Sequence, residues 1–246
     1  MRRETLAVVL VGAALAAAQG RGPQTRDGQT AKAAAPIDLT GYWVSVVTED
    51  WRFRMMTPAK GDYPSIPLNV EGRKVAEAWD PAKDEAAGEA CKAYGAGNIM
   101  RMPGRLHITW QDDSTLKVEI DAGTQTRLFH FGRLAGDFGG PDWQGISAAQ
   151  WELAGERGRV PGGDLKVVTT HVRPGYLQKN GVPYSGNAVV TEHFDVLHPE
   201  ANGDQWMIVT TLVEDPQYLN QPFQRSTHFK RQADASGWEP TPCSAR

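Results

Sequence analysis

Residues 105–121 read RLHITWQDDSTLKVEID, and their alternation decides the fold. Leu106, Ile108 and Trp110 alternate with Arg105, His107, Thr109 and Gln111. After Asp112-Asp113-Ser114, Leu116, Val118 and Ile120 alternate with Thr115, Lys117, Glu119 and Asp121. A period of two sends successive side chains to opposite faces, so these are two half-buried strands joined by a short polar turn. Pairing Gln111 with Thr115 sets Trp110 opposite Leu116, Ile108 opposite Val118 and Leu106 opposite Ile120, with all six on one face. His107 then faces Glu119 and Arg105 faces Asp121 on a charge-matched solvent side.

The same period recurs along the chain. It predicts strands at Gly41–Val47, Gln125–Phe131, Leu165–Val172, Ala188–Leu197, Gln205–Glu214 and Arg225–Arg231, with a further one at Ala149–Leu153. Asn202-Gly203 is a two-residue hairpin signal between two of them. One region reads as helix: Val70–Tyr94 is rich in Ala, Glu and Lys, and Asp80-Pro81 divides it into two short helices. This insert follows the first strand and does not alternate with the others, which excludes repeated βαβ units and a parallel sheet. The expected fold is mostly β: an antiparallel barrel of eight or nine strands, closed so that no long edge is left exposed, with a helical insert at about residues 70–94.

The ends set the address. Met1–Thr5 carries Arg2 and Arg3, Leu6–Ala17 is an apolar run, and Ala16-Ala17-Ala18 offers small residues at a cleavage site, the pattern of a signal peptide over residues 1–18. Residues 19–36 have no aromatic and many small or polar side chains, and read as a disordered tether. Residues 37–246 are then a single barrel domain, secreted or periplasmic. No stretch is long and apolar enough to be a membrane span. Cleavage takes the formal charge from −3 to −4, and no basic footprint for nucleic acid is present. Cys91 and Cys243 are the two cysteines. An even count in an oxidising compartment points to a disulfide, and closing a loop of about 150 residues restrains the unfolded chain by roughly 4–5 kcal/mol in the entropic account. Free thiols, or metal or redox use, are the alternatives, without a CxxC spacing to support the latter two.

Gly41-Tyr42-Trp43, opening the first strand, resembles the G-x-W start of the lipocalin or calycin barrels. The resemblance implies that Trp43 closes one barrel end and that a basic residue of the last strand, Arg231 or Lys230, lies on it. It also implies a disulfide returning the C-terminal segment to the barrel, which Cys91 with Cys243 echoes. The chain departs from the pattern in its early helical insert, its length and a short, Pro-rich tail after Arg231. Another antiparallel barrel, a curved sheet or a β-sandwich stays open.

A small barrel has a lumen wide enough for side chains or one small ligand, so polar residues on apolar faces are the candidates for chemistry. Glu192 interrupts the row Ala188, Val190, Phe194, Val196. Counted through Asn202-Gly203, Glu192 falls opposite Val213 and Phe194 opposite Thr211. A carboxylate so placed has its pKa raised by desolvation unless a cation meets it, which makes it a candidate acid or base. A register with Glu119 opposite Arg127 turns Leu128 and His130 inward, and makes His130 a candidate proton shuttle. No two of the six His stand at HExxH or HxH spacing, so no metal site is expected from sequence motifs, although one assembled from separate strands stays open. Nucleophile motifs of the G-x-S-x-G and S-x-x-K type are missing. The glycine-rich segments 136–140 and 155–163 read as loops and cradle no phosphate, so no cofactor is expected. A long loop at 173–185 brings Tyr176 and Tyr184 to a mouth.

The leading expectation is an exported barrel holding a small, largely apolar or aromatic molecule in its lumen, with Trp43, Trp51, Trp110, Phe194 and Thr211 as ligand-binding residues. The alternative is a cofactor-independent acid–base enzyme of the lyase, isomerase or hydratase type using Glu192 and His130. A third is an envelope interaction module. The oligomeric state has no sequence signal.

Overall fold

The alternating segments curl into a closed barrel in the computed structural model, which describes residues 28–134, 139–154 and 162–246. The barrel strands are β1 (Gly41–Ser45), β2 (Arg105–Trp110), β3 (Thr115–Ile120), β4 (Gln125–Phe131), β5 (Ile146–Ala154), β6 (Gly162–Thr170), β9 (Val189–Val196), β10 (Trp206–Glu214) and β11 (Phe223–Gln232). Around the wall they run β1-β11-β10-β9-β6-β5-β4-β3-β2. A ring of nine strands cannot alternate direction all the way round, so one pair must be parallel. That pair is β4 with β5, and it departs from the expected antiparallel scheme. Of the chain between them, the described residues 139–145 flank the outer face of β4.

The β2–β3 register is as read from the sequence, Leu106 opposite Ile120, Ile108 opposite Val118 and Trp110 opposite Leu116. His107 meets Glu119 at 3.1 Å, whereas the expected Arg105–Asp121 charge pair does not form. Asp121 is buried and accepts the Arg105 backbone N–H at 2.7 Å, and the Arg105 guanidinium donates to Gln232. With Asp121 drawn out of the strand, the β3–β4 loop takes four residues, 121–124, and Ile120 pairs with Gln125. Val118 then faces Arg127 and Leu116 faces Phe129. One residue of slip reverses which face each β4 side chain occupies.

The β9–β10 connection is corrected by two residues. Gly203 N–H donates to Glu200 O and Gly203 sits at φ +85°, so the hairpin is a turn over 200–203 with a left-handed residue, not a two-residue turn. Thr211 lies opposite Glu192, and Val209 opposite Phe194.

The two barrel ends are closed differently. At the end holding Ser45, Arg105 and Phe223, the insert after β1 forms α1 (Trp51–Arg54), α2 (Val70–Glu77), α3 (Pro81–Ala86) and 3-10 turns at Ala90–Tyr94 and Ile99–Arg101. Asn69 caps α2 by accepting from Gly72 N, and Asp80 caps α3 with Pro81 in its first turn, so the break at 80–81 is where the sequence puts it. At Gly72 a Cβ would come within 2.4 Å of Tyr218 O, which is how closely α2 approaches the chain after β10. The expected loop 173–185 is instead a hairpin of β7 (Gly175–Gln178) and β8 (Val182–Tyr184). Ile66, Leu68, Leu177, Val182, Tyr184, Val190, Val213 and Phe223 join into one buried cluster that plugs this end. Cys91 and Cys243 are disulfide-bonded, tying the C-terminal tail to the plug.

Among the described residues, the opposite end, with Gly41, Trp110, Phe131 and Trp206, is crossed by a strap. Residues 28–36 fall in the expected tether, but Ala31 is buried, its carbonyl accepts Trp151 Nε1–H at 2.8 Å, and Lys32 N–H donates to Asp113 O. Leu39 is buried and its carbonyl accepts Trp43 Nε1–H. Arg231 lies over the Trp43 ring at 4.7 Å, as the G-x-W resemblance implies. The signal-peptide segment and most of the glycine-rich segments 136–140 and 155–163 fall outside the described residues. Among the described residues no helix is long and apolar enough to cross a membrane.

Candidate functional site

The lumen is filled. Trp43, Leu116, Phe129, Leu165, Phe194 and Phe229 are fully buried within it, and Phe129 and Phe194 pack ring to ring at 5.4 Å. Across it runs one polar layer. Arg127 of β4 donates through Nη1 to Glu192 Oε1 at 3.0 Å and through Nη2 to Oε2 at 2.6 Å, with both side chains sealed from solvent. The chord spans two intervening strands, whose residues at this level are the small Ser147 and Thr169. Thr169 Oγ1 accepts from Arg127 Nη2 at 3.1 Å and shares a hydrogen bond with Ser147. Glu192 is thus the carboxylate on an apolar row that the sequence picks out, and a guanidinium meets it. A buried, two-point pair of this kind gives each charged group a charge-assisted hydrogen-bond partner in place of water.

His130 is corrected to the outer face. With Arg127 and Phe129 inward, Leu128 and His130 line a groove of about 170 Å³ on the outside of the wall, with Asp142, Gln144 and His171. The groove is a product of the parallel β4–β5 pairing, because the returning chain flanks it. Glu192 and His130 therefore lie on opposite sides of the barrel wall, and the proton-transfer pair expected from the sequence is not assembled.

The residues expected to bind ligand do not share one place. Trp43 is buried under Leu39 and Arg231, Phe194 is core, and Trp51 stands 57% exposed on the plug. Thr211 lines a hollow with Gly97, Asn98, Arg101, Phe223 and Arg225 beneath the plug, whose volume of about 10 Å³ is room for about one water. Burial pushes the Arg101 guanidinium down to about 10, with Arg225 and Arg54 acting the same way against Asp50.

Trp110 borders a sizeable opening. An open groove of about 630 Å³ lies between the strap (Lys32, Ala35, Pro36, Ile37, Asp38, Thr40) and Thr109–Trp110 at the strapped end. Trp110 is one of three rings that meet at this mouth: Trp110–Phe131 at 5.5 Å, Phe131–Trp151 at 5.2 Å and Trp110–Trp151 at 6.4 Å. All three are partly buried against the core below. They converge because each sits at the mouth end of its strand. The strap is held partly by Asp38. Burial by itself would raise this carboxyl, but hydrogen bonds from the Thr40 backbone and hydroxyl and the nearby Arg231 guanidinium hold it below the usual carboxylate range.

Sequence reasoning missed Phe131, Trp151 and the strap. The β4 register hid Phe131's side of the sheet, and a segment without aromatics gave no packing signal. In comparisons with protein-family models, curated proteins and solved structures, nothing matches the chain.

Proposed function

We propose that this chain is an exported, lipocalin-like barrel that binds a small, largely apolar or aromatic molecule at its strapped mouth, beside Trp110, and not in the lumen. The observation that carries the reading is the 630 Å³ groove lined by the strap and by Trp110, whose ring packs against Phe131 and Trp151. Its size falls within the range of about 300–1,000 Å³ typical of small-molecule sites, while the lumen hollow is far below it. Aromatic faces give a ligand large contact area with geometric selectivity, and Lys32, Asp38 and Thr40 supply polar groups to orient it. The stacked Arg231 and Trp43 and the tail disulfide support the lipocalin-like part of the reading. The Arg-rich start and apolar run of residues 1–18 support export.

The test is a fluorescence titration of the full chain with 1-anilinonaphthalene-8-sulfonate. Saturable binding that weakens at least roughly tenfold in Trp110→Ala, about the 1.4 kcal/mol one aromatic contact supplies, is the expected result. Non-saturable binding, or equal affinity in the variant, would overturn it. A second reading, an envelope interaction module, draws on Trp51, Met55 and Met56, which are 57%, 54% and 59% exposed on and just after α1. It predicts that Trp51→Ser with Met55→Ser reduces cosedimentation with envelope fractions and leaves the dye titration unchanged.

A further inference from the structure

Three histidines on the outer wall pair with carboxylates: His107 with Glu119 on β2–β3, His228 with Glu49 beside β11, and His193 with Asp164 on β9–β6. Only the last, among the described residues, has a second carboxylate whose donor atom closes a three-donor set. His193 Nδ1 lies 2.6 Å from Asp164 Oδ2 and 3.7 Å from Glu152 Oε2. All three donor atoms fall within 4.8 Å of one another.

The set is built by strand register. Glu152 of β5 lies opposite Asp164 of β6. Lys166, two residues along β6, lies opposite His193 of β9. Asp195 extends the row, since its neighbour Phe194 pairs with Leu165, next to Asp164. Three carboxylates thus stand side by side across three adjacent strands, an arrangement that repels itself unless a cation intervenes. Lys166 answers part of that charge. Its Nζ lies 3.3 Å from Glu152 Oε1, which also accepts from Gln150 Nε2, and this contact turns the other oxygen, Oε2, toward His193. An ordinary His–Asp ion pair accounts for the 2.6 Å contact. Glu152 Oε2, oriented by the Lys166 contact and 3.7 Å from the same nitrogen, adds a third donor atom to that pair on a partly exposed face.

We propose that Glu152, Asp164 and His193 form a binding site for a divalent transition metal of the zinc class on the outer barrel wall. One imidazole nitrogen with two carboxylate oxygens is a borderline donor set that suits Zn²⁺ better than Ca²⁺ or Mg²⁺, which take oxygen ligands almost exclusively. Donor atoms each about 2.0–2.2 Å from a tetrahedral ion stand about 3.4 Å apart, so the set closes with small side-chain shifts. Binding replaces the direct His193 Nδ1–Asp164 Oδ2 contact with a bond from each atom to the metal. Three protein donors leave a coordination position for water. Asp195 is placed to accept from that water or to join the shell.

Isothermal titration of the tag-free full chain, stripped with EDTA and desalted, tests the site with ZnCl₂ as the probe. The expected result is one Zn²⁺ per chain, with affinity lowered at least roughly tenfold in His193→Ala and in Asp164→Asn, and unchanged in His107→Ala. Melting of the metal-free variants near the parent temperature shows that they fold, and the rise in melting temperature on adding ZnCl₂ is expected for the parent and His107→Ala alone. Absence of one-to-one binding, an equal loss in His107→Ala, or binding of CaCl₂ in preference to ZnCl₂ would overturn the assignment.

Discussion

One end of this barrel is sealed by a second core and the other by a strap. The plugged end buries Ile66, Leu68, Leu177, Val182, Tyr184 and Phe223 in one cluster, adds a disulfide, and has the Arg127–Glu192 chord in the lumen behind it. The strapped end has three partly exposed rings, a few hydrogen bonds from residues 31–40, and an open groove. On the proposed function, the difference separates stability from recognition. Deep burial and covalent closure leave little room for a ligand, and a rim that is apolar and thinly covered by the described residues leaves room at small cost to the fold.

The comparison breaks most directly at Arg127. Arg127→Ala leaves Glu192 buried without its cation and is expected to cost about 3–5 kcal/mol in urea unfolding, most of it recovered when Arg127→Met is combined with Glu192→Leu. A cost under about 1 kcal/mol would contradict a chord that holds the lumen together. Next in size, Cys91→Ser with Cys243→Ser removes the covalent tie of the plugged end, for an expected loss of roughly 2–5 kcal/mol read as a lower melting temperature. Dye binding at the mouth should survive both changes under conditions where the variants stay folded.

Changes at the strapped end are expected to be milder. Trp151→Phe keeps a ring but removes the N–H bond to Ala31 O, at an expected 0.5–1.5 kcal/mol, about the net worth of one hydrogen bond, with faster amide exchange over residues 31–35. The smallest effect is that of acid on Asp38. Its carboxyl is held below the ordinary value in the folded chain, so its contribution is fully present above about pH 3.9 and is lost as pH falls through the folded pKa. Asp38→Asn should flatten that part of the strap's exchange profile against pH, and an unchanged profile would remove Asp38 from the account.

Period two, turn residues and the Asp80-Pro81 break located nearly every strand and both α2 and α3, because alternation and capping are local signals. Register was legible only where the loop was simple. The Asp112-Asp113-Ser114 turn gave β2–β3 correctly. Asp121 leaves its strand to bond Arg105 N–H, a tertiary event, and the single-residue slip that follows exchanged Arg127 for His130 on the inner face. Glu192 stood out as a carboxylate on an apolar row, but its partner was hidden by that same slip. The parallel β4–β5 pair follows from the parity of nine strands, which a count of eight or nine left undecided. The strap was invisible for a different reason: residues 28–36 offer backbone carbonyls and small side chains, and the indole that holds Ala31, Trp151, lies 120 residues away in sequence.

The central claim, recognition at the strapped mouth over a filled lumen, is tested most directly by the indole N–H resonances of the ¹⁵N-tryptophan-labelled full chain during titration with 1-anilinonaphthalene-8-sulfonate. The account predicts saturable shifts for Trp110 and Trp151 with Trp43, sealed beneath Leu39 and Arg231, unmoved. A leading shift at Trp43, or no saturable shift at Trp110, would contradict it.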